Sequence, residues 1–219
     1  MQLKKGDFIE IEFTGKLQEG GVFDSNIKED LKKVNPNFNK NQTKPFVFCL
    51  GESMFLKGVE DFLIGKDIGS YDIKLSSDKA FGPRKLELMQ RIPIKVFKEQ
   101  KLNPIPGAAF NFDGKMGKII TASGGRVIVD FNNPLAGKDV FYKVKVLRKV
   151  EDINEKTKAL IEFLFRQDLK FEIKDNLLVI HAEKGMKQFI ELFKDKFKDM
   201  LKLGLEVKEA KEKSEKSSQ

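Results

Sequence analysis

Cysteine and histidine are nearly missing from these 219 residues: Cys49 and His181 are the only examples of each. A single cysteine excludes an intrachain disulfide and any site built from several thiolates. A single histidine excludes a histidine-cluster metal centre and leaves no partner set for a serine–histidine relay. Tryptophan is absent and tyrosine occurs twice, against 20 phenylalanines, so the aromatic content is almost wholly apolar ring surface. No apolar run approaches the ~18–20 residues that span a bilayer. The opening Met1–Asp7 lacks the apolar centre of a signal peptide, so a cytoplasmic location and no membrane partner are expected. Gly65-Lys66 lacks the spaced glycine and following Ser/Thr of a phosphate-binding loop. No cofactor and no metal are therefore expected.

What is abundant is charge, at 34% of residues with a net +8. Residues 1–151 carry +7 of it and residues 152–219 only +1. Such an excess can attract nucleic acid or acidic clients. No block of Lys/Arg stands free of acids, however, and no RNA-binding aromatic signature occurs. A solvated, lysine-rich surface is the simpler reading, and no nucleic-acid partner is expected.

The periodicity divides the chain into three styles. Asp7-Phe-Ile-Glu-Ile-Glu-Phe13 alternates as a half-buried strand does. Val22–Ser25, Phe46–Leu50, Ser70–Ser76 and Val140–Val146 add four more strands. Phe55–Leu63 has helical apolar spacing and ends at Gly65. Residues 26–44, with five asparagines and five lysines, read as a long polar loop with a short helical turn at 28–33. Together 1–84 and 131–151 describe an α+β module. Between them, residues 85–130 are broken by prolines and glycines into short strands and read as an all-β insert. Residues 152–208 change again, to an α-β-β-α-β pattern with a cleanly amphipathic helix at 185–201. Asp152 and Glu155 suit the start of its first helix. Residues 209–219 hold too little apolar surface to order. A unit as small as 152–208 leaves a sheet face or edge uncovered. Homodimerisation through it is expected, with docking onto its own chain as the alternative.

Several ordered motifs resemble the FKBP-type peptidyl-prolyl isomerases. They are Lys5–Leu17 with Gly21-Val-Phe-Asp-Ser25, then Pro45–Glu60, then Ala80-Phe-Gly-Pro83. Val129-Asp-Phe-Asn-Asn-Pro-Leu-Ala-Gly-Lys138 is similar to the re-entry from the insert in the SlyD-like branch. With its extra C-terminal module, the whole chain resembles an archaeal long-type FKBP. The implied fold is an antiparallel half-barrel wrapped around a short helix, carrying an insert-in-flap domain. The implied activity is rotation of X–Pro bonds, coupled to holding unfolded, proline-containing polypeptides. A holdase with little isomerase activity is the alternative.

Carried over residue by residue, the resemblance implies a pocket of Phe13, Phe23, Asp24, Phe46, Phe55, Leu56, Val59, Phe81 and Tyr142. Phe23, Phe46 and Tyr142 would form walls, Val59 the floor, and Phe13 and Phe55 further lining. The Leu56 N–H would hold a substrate carbonyl, and Asp24 would place a carboxylate near the twisting amide. Relatives usually have tyrosine where Phe13 and Phe81 stand, and the best-known ones tryptophan where Val59 stands. The resemblance implies that the hydroxyl missing at Phe81, unless replaced, weakens affinity for peptide or macrolide by roughly 0.5–1.5 kcal/mol. In the insert, Ile94, Phe97, Leu102 and Ile105 flank prolines and loops and are expected to be exposed for client binding. Cys49, beside Phe48 and Leu50, reads as a small buried hydrophobe.

Overall fold

The alternating opening forms β1 (Phe8–Leu17), with Phe8, Ile9, Ile11 and Phe13 buried and Glu10 and Glu12 partly exposed. The computed structural model describes residues 2–35 and 37–209. β2 (Val22–Ser25) pairs antiparallel with the second half of β1, setting Asp24 opposite Gly15. The polar stretch that follows contains α1 (Lys28–Val34) and a 3-10 turn at Lys40–Thr43. β3 (Phe46–Cys49) pairs antiparallel with the first half of β1, from Ile11 opposite Phe46 to Phe8 opposite Cys49. α2 (Lys57–Leu63) is short because Gly65, at φ +83°, ends it, and it buries Val59, Glu60 and Leu63. β4 (Ser70–Leu75) completes this first run of elements.

Residues 85–130 build a four-stranded antiparallel sheet and one helix. The strands are β5 (Met89–Pro93), β6 (Ala109–Phe112), β7 (Lys115–Ser123) and β8 (Arg126–Asp130), in the order β5-β8-β7-β6. The helix, α3 (Ile94–Glu99), corrects the all-β expectation for this stretch. It also overturns the exposure expected of Phe97, which is only 1% exposed and centres a cluster with Ile119, Val127 and Val129. Pro93 starts the helix, so Phe97 comes one turn later onto the face that covers the sheet. Ile94 and Leu102 are half-buried against the same cluster, and Ile105 alone of the four is exposed, at 57%. Phe97 edges onto Phe112, ring centroids 5.8 Å apart, and Phe112 onto Phe131 at 5.2 Å.

The two ends of this stretch are clasped. The Asn132 side chain accepts the Lys85 N–H at 2.8 Å and donates to the Lys85 carbonyl at 3.0 Å. Asp130 pairs with the Arg84 guanidinium and accepts from the Asn132 N–H and amide. Burial pushes the Asp130 carboxyl up, but Asn132 and Arg84 together outweigh it and hold the pKa below the ordinary carboxylate value.

β9 (Val140–Lys149) then returns to the first sheet, which runs β2-β1-β9-β4 with β3 also on β1. α4 (Ile153–Phe165) follows, and the Asp152 carboxylate caps it by accepting the Glu155 N–H at 2.8 Å. β10 (Lys170–Lys174) and β11 (Leu177–Ala182) form a hairpin. The amphipathic stretch expected as one helix at 185–201 is two, α5 (Lys187–Glu191) and α6 (Lys194–Leu201), broken at Leu192–Phe193. Apolar periodicity reports which face is buried, and Ile190 and Phe197 stay buried on either side of the break. β12 (Gly204–Glu209) lies parallel to β11, in the sheet order β10-β11-β12. The tail expected to be unstructured lies outside the described residues, apart from Glu209. The chain divides into two compact units. One holds residues 1–16, 20–73 and 142–219, and the other 17–19 and 74–141.

Candidate active site

Within the first unit, β1, β2, β3, β9 and the loop before α2 converge their aromatic rings on one spot. Phe55 is the hub. Its ring centroid is 4.8 Å from Phe13, 5.6 Å from Tyr142, 5.9 Å from Phe46 and 5.6 Å from Phe48. Phe23 meets Tyr142 edge-on at 5.7 Å. Edge-to-face packing of this kind fits the ring quadrupoles and fixes ring orientation. Phe13, Val59 and Tyr142 are buried, whereas Phe23, Phe46 and Phe55 are only partly so. The result is a bowl with an inaccessible base and an accessible aromatic rim. Eight of the nine residues expected at the pocket thus lie in this unit. Phe81 belongs to the second unit, half-buried after the 3-10 turn Ser77–Lys79.

Leu56 is the residue before α2, extended at φ −66° and ψ 119°. Its carbonyl accepts the Val59 and Glu60 N–H groups, while its own N–H has no acceptor among the described residues. That amide is available to a ligand carbonyl. Asp24 is exposed by area, yet the protein crowding its carboxyl raises the pKa, outweighing the Ser25 backbone N–H that lowers it. Burial also raises the Tyr142 phenol far above its ordinary value, and the charge of Asp24 adds to the effect. Tyr142 therefore keeps its proton and remains a hydrogen-bond donor.

The supports of the bowl were less legible. Gly15 has no side chain because none fits: a Cβ there would sit 2.8 Å from Phe23 Cζ and 3.0 Å from Tyr142 Cε1. Glu60 is buried in α2, and its carboxylate accepts N–H groups from Gly51 at 2.7 Å, Ser53 at 3.2 Å and Phe55 at 2.7 Å. It pins the loop that delivers Phe55 and Leu56. An acid on the helix face set by Val59 and Leu63 is the signal that could have found it. Asn26 accepts the Phe13 N–H and donates to the Ile11 and Lys44 carbonyls. Ser25 donates to the Phe13 carbonyl, and Thr14 donates to Asp30. This buried polar network locks β2, with Phe23 and Asp24, onto β1. Phe48, stacked on Phe46 at 5.5 Å, backs the rim from below.

The bowl presents apolar rings, one carboxyl and one open amide. It is suited to reactions that need desolvation and orientation, with no covalent intermediate.

Comparison with known sequences agrees with the geometry. The family described as FKBP-type peptidyl-prolyl cis-trans isomerase matches residues 1–109. The description FKBP26, IF domain, matches residues 90–135. A short-type peptidyl-prolyl cis-trans isomerase of Methanocaldococcus jannaschii is 29% identical over 145 residues, 66% of this chain and 92% of that protein. An FKBP-type 16 kDa peptidyl-prolyl cis-trans isomerase of Escherichia coli is 32% identical over 143 residues, 63% of this chain and 87% of its own length. The isomerase SlyD of Yersinia pestis is 31% identical over 116 residues, 51% of this chain and 59% of its own. With the Escherichia coli relative 32% identical over 87% of its length, and all the bowl's rings but Tyr142 within residues 1–109, the chain belongs to the FKBP-type peptidyl-prolyl cis-trans isomerases and is an enzyme of that activity.

Proposed function

We propose that this isomerase is a folding enzyme of the SlyD-like, archaeal long-type kind, in which residues 85–130 hold unfolded chains while the bowl rotates their X–Pro bonds. The observation that carries the reading is the bowl itself: a buried base, partly exposed rings, and the Leu56 N–H, which has no acceptor among the described residues, at one edge. An X–Pro bond crosses a barrier of ~18–20 kcal/mol and takes tens to hundreds of seconds unaided. The twisted transition state has lost amide resonance and much of its polarity. Apolar rings in place of water favour it over the planar ground state, and each ~1.4 kcal/mol of that preference is about tenfold in rate. Phe23, Phe46 and Tyr142 flank the proline ring, Val59 lies beneath it, and Phe13 and Phe55 complete the lining. Leu56 N–H holds a substrate carbonyl, and Asp24 lies near the twisting bond.

The holding role is supported by exposed apolar side chains in the stretch that matches the IF-domain description. Met116 is 60% exposed and Ile105 57% within that stretch, and Leu86, just ahead of it, is 83% exposed. They replace Phe97 in the proposed client surface, with Ile94 and Leu102 at its partly buried margin. An exposed methionine among them suits clients of varied sequence. Pairing of two copies through residues 152–208 is part of the same proposal, supported by exposed Phe189 and Leu192.

The test uses a protein whose refolding is limited by a prolyl bond. The intact chain should accelerate that phase. Replacing 85–130 by a short loop should spare turnover of a tetrapeptide but lose the refolding activity. Asp24→Ala with Phe46→Ala should lose both. A double variant that retains tetrapeptide activity would remove the bowl assignments. Monomeric mass in sedimentation at micromolar concentration would remove the pairing.

A further inference from the structure

One face of α4 is buried through Leu160, Ile161 and Phe165. The other carries Glu155, Lys158, Ala159, Glu162, Phe163 and Arg166 at three- and four-residue steps, and these line an open groove of about 880 Å³. Its opposite wall is the extended segment Lys44-Pro45-Phe46-Val47. Phe46 therefore belongs to two places: its ring is 5.9 Å from Phe55 in the bowl, and it lines the groove. Phe46 is thus the residue that the groove and the isomerase site share.

We infer that this groove is a second binding site for the substrate chain, taking an extended peptide segment next to the proline that sits in the bowl. The inference rests on the bowl assignments proposed above. Glu155 and Arg166 are about 16 Å apart along the helix at ~1.5 Å per residue. An extended chain rising ~3.3 Å per residue fills that length with about five residues. The chemistry suits a client of unspecified sequence. Three cations, Lys44, Lys158 and Arg166, face three carboxylates, Glu155, Glu162 and Asp168, so the groove has no net preference for charge. Lys158 lies 3.8 Å from Glu162 and 4.0 Å from Asp168, and Arg148 holds Glu155 at 2.6 Å. Ala159 and Phe163 supply apolar surface at the centre. β3 has β1 as its only strand partner among the described residues, so an added strand is a further way for a peptide backbone to engage. A second copy of the chain would have no need of a wall shared with the bowl, whereas a flanking substrate segment, held beside its proline, does, and Phe46 is that wall.

The experiment compares an X–Pro tetrapeptide with the same sequence extended by six residues on one side or the other. With the intact protein, one extended peptide should show a KM about tenfold lower than the tetrapeptide. Ala159→Trp, which fills the groove, should abolish that advantage and leave tetrapeptide turnover unchanged. Phe163→Ser serves as the second variant if the first does not fold. A photo-reactive residue five positions beyond the proline should crosslink the unaltered protein within residues 42–47 or 155–168. Equal KM for short and long peptides, an advantage surviving in both variants, or crosslinks mapping elsewhere would each overturn the groove. These outcomes are separate from failure of the bowl, which shows as tetrapeptide turnover surviving Asp24→Ala with Phe46→Ala.

Discussion

Gly15→Ala is the smallest change that should disturb the isomerase site. The added Cβ would lie 2.8 Å from Phe23 Cζ and 3.0 Å from Tyr142 Cε1, against ordinary contacts beyond 3.4 Å. One ring or the backbone must yield. Tyr142 is 2% exposed and braced by Phe13, Phe23 and Phe55, so it has nowhere to go. Phe23 is only partly buried and is the wall that swings. Holding it in place would cost roughly 1–3 kcal/mol, as overpacking does elsewhere. Releasing it opens the bowl and forfeits ring contacts worth about 0.5–1.5 kcal/mol. Because ~1.4 kcal/mol is tenfold in rate, kcat/KM on an X–Pro tetrapeptide should fall by about tenfold if the transition state feels the whole loss. If the wall resists instead, the melting temperature should fall by about 2–4 °C per kcal/mol. Gly21→Ala is the control, since a Cβ there meets nothing within 4 Å and the backbone is not left-handed. A Gly15→Ala protein matching the parent in both kcat/KM and melting temperature would refute the claim that this glycine sets the wall spacing.

Glu60→Gln should loosen the loop before α2, because an amide offers one acceptor oxygen where the carboxylate serves three N–H groups. A buried donor left unpaired costs about 1–3 kcal/mol, and faster hydrogen exchange at Gly51, Ser53 or Phe55 is the readout. Phe97→Ala should destabilise the 85–130 stretch by about 3–5 kcal/mol, seen as a separate early melting transition with tetrapeptide turnover retained. Cys49 should resist thiol reagents at pH 8 in the native protein and react after unfolding, because burial and nearby Glu52, Glu60 and Asp7 push its pKa up to about 12. Asp24→Asn should raise stability at neutral pH. The folded carboxyl titrates above its unfolded value, so the native state holds the extra proton and loses stability as pH rises through that window. Equal stability of parent and variant from pH 3 to 8 would contradict this.

The strands of the first unit were legible because one face of each meets core and the other water, and alternation reports that directly. Phe8 to Phe13 and Val140 to Val146 are cases where the pattern and the burial coincide. The pocket residues were placed by their motifs rather than by periodicity, since a phenylalanine lining a bowl and one filling a core look alike in sequence. Phe48 and Phe46 illustrate this: they are two residues apart on one strand and stacked, yet one is fully buried and the other stands at the rim. Phe97 departs from the sequence expectation because its proline flanks suggest a loop, whereas Pro93 starts a helix that carries the ring inward. Neighbouring prolines mark where backbone direction changes and say little about which side chains turn to solvent.

The residues that organise the site share a property that hides them from pattern reading. Asn26, Ser25, Thr14 and Glu60 are polar and buried; Asn26, Ser25 and Glu60 spend hydrogen bonds on backbone groups of the segments that carry the rings, and Thr14 ties the Ser25 hydroxyl and the Asp30 carboxylate to β1. Beyond the few polar groups that meet the substrate, the bowl gains nothing from polar anchors among its rings, because an unpaired group there would attract water and lower the preference for the twisted amide. The anchors therefore lie behind the rings, where their hydrogen bonds are satisfied by the chain itself. Rigidity then comes from the polar layer and selectivity from the apolar one. Substitutions in the polar layer should alter ring placement, and with it KM and kcat together, without removing any group that touches the substrate.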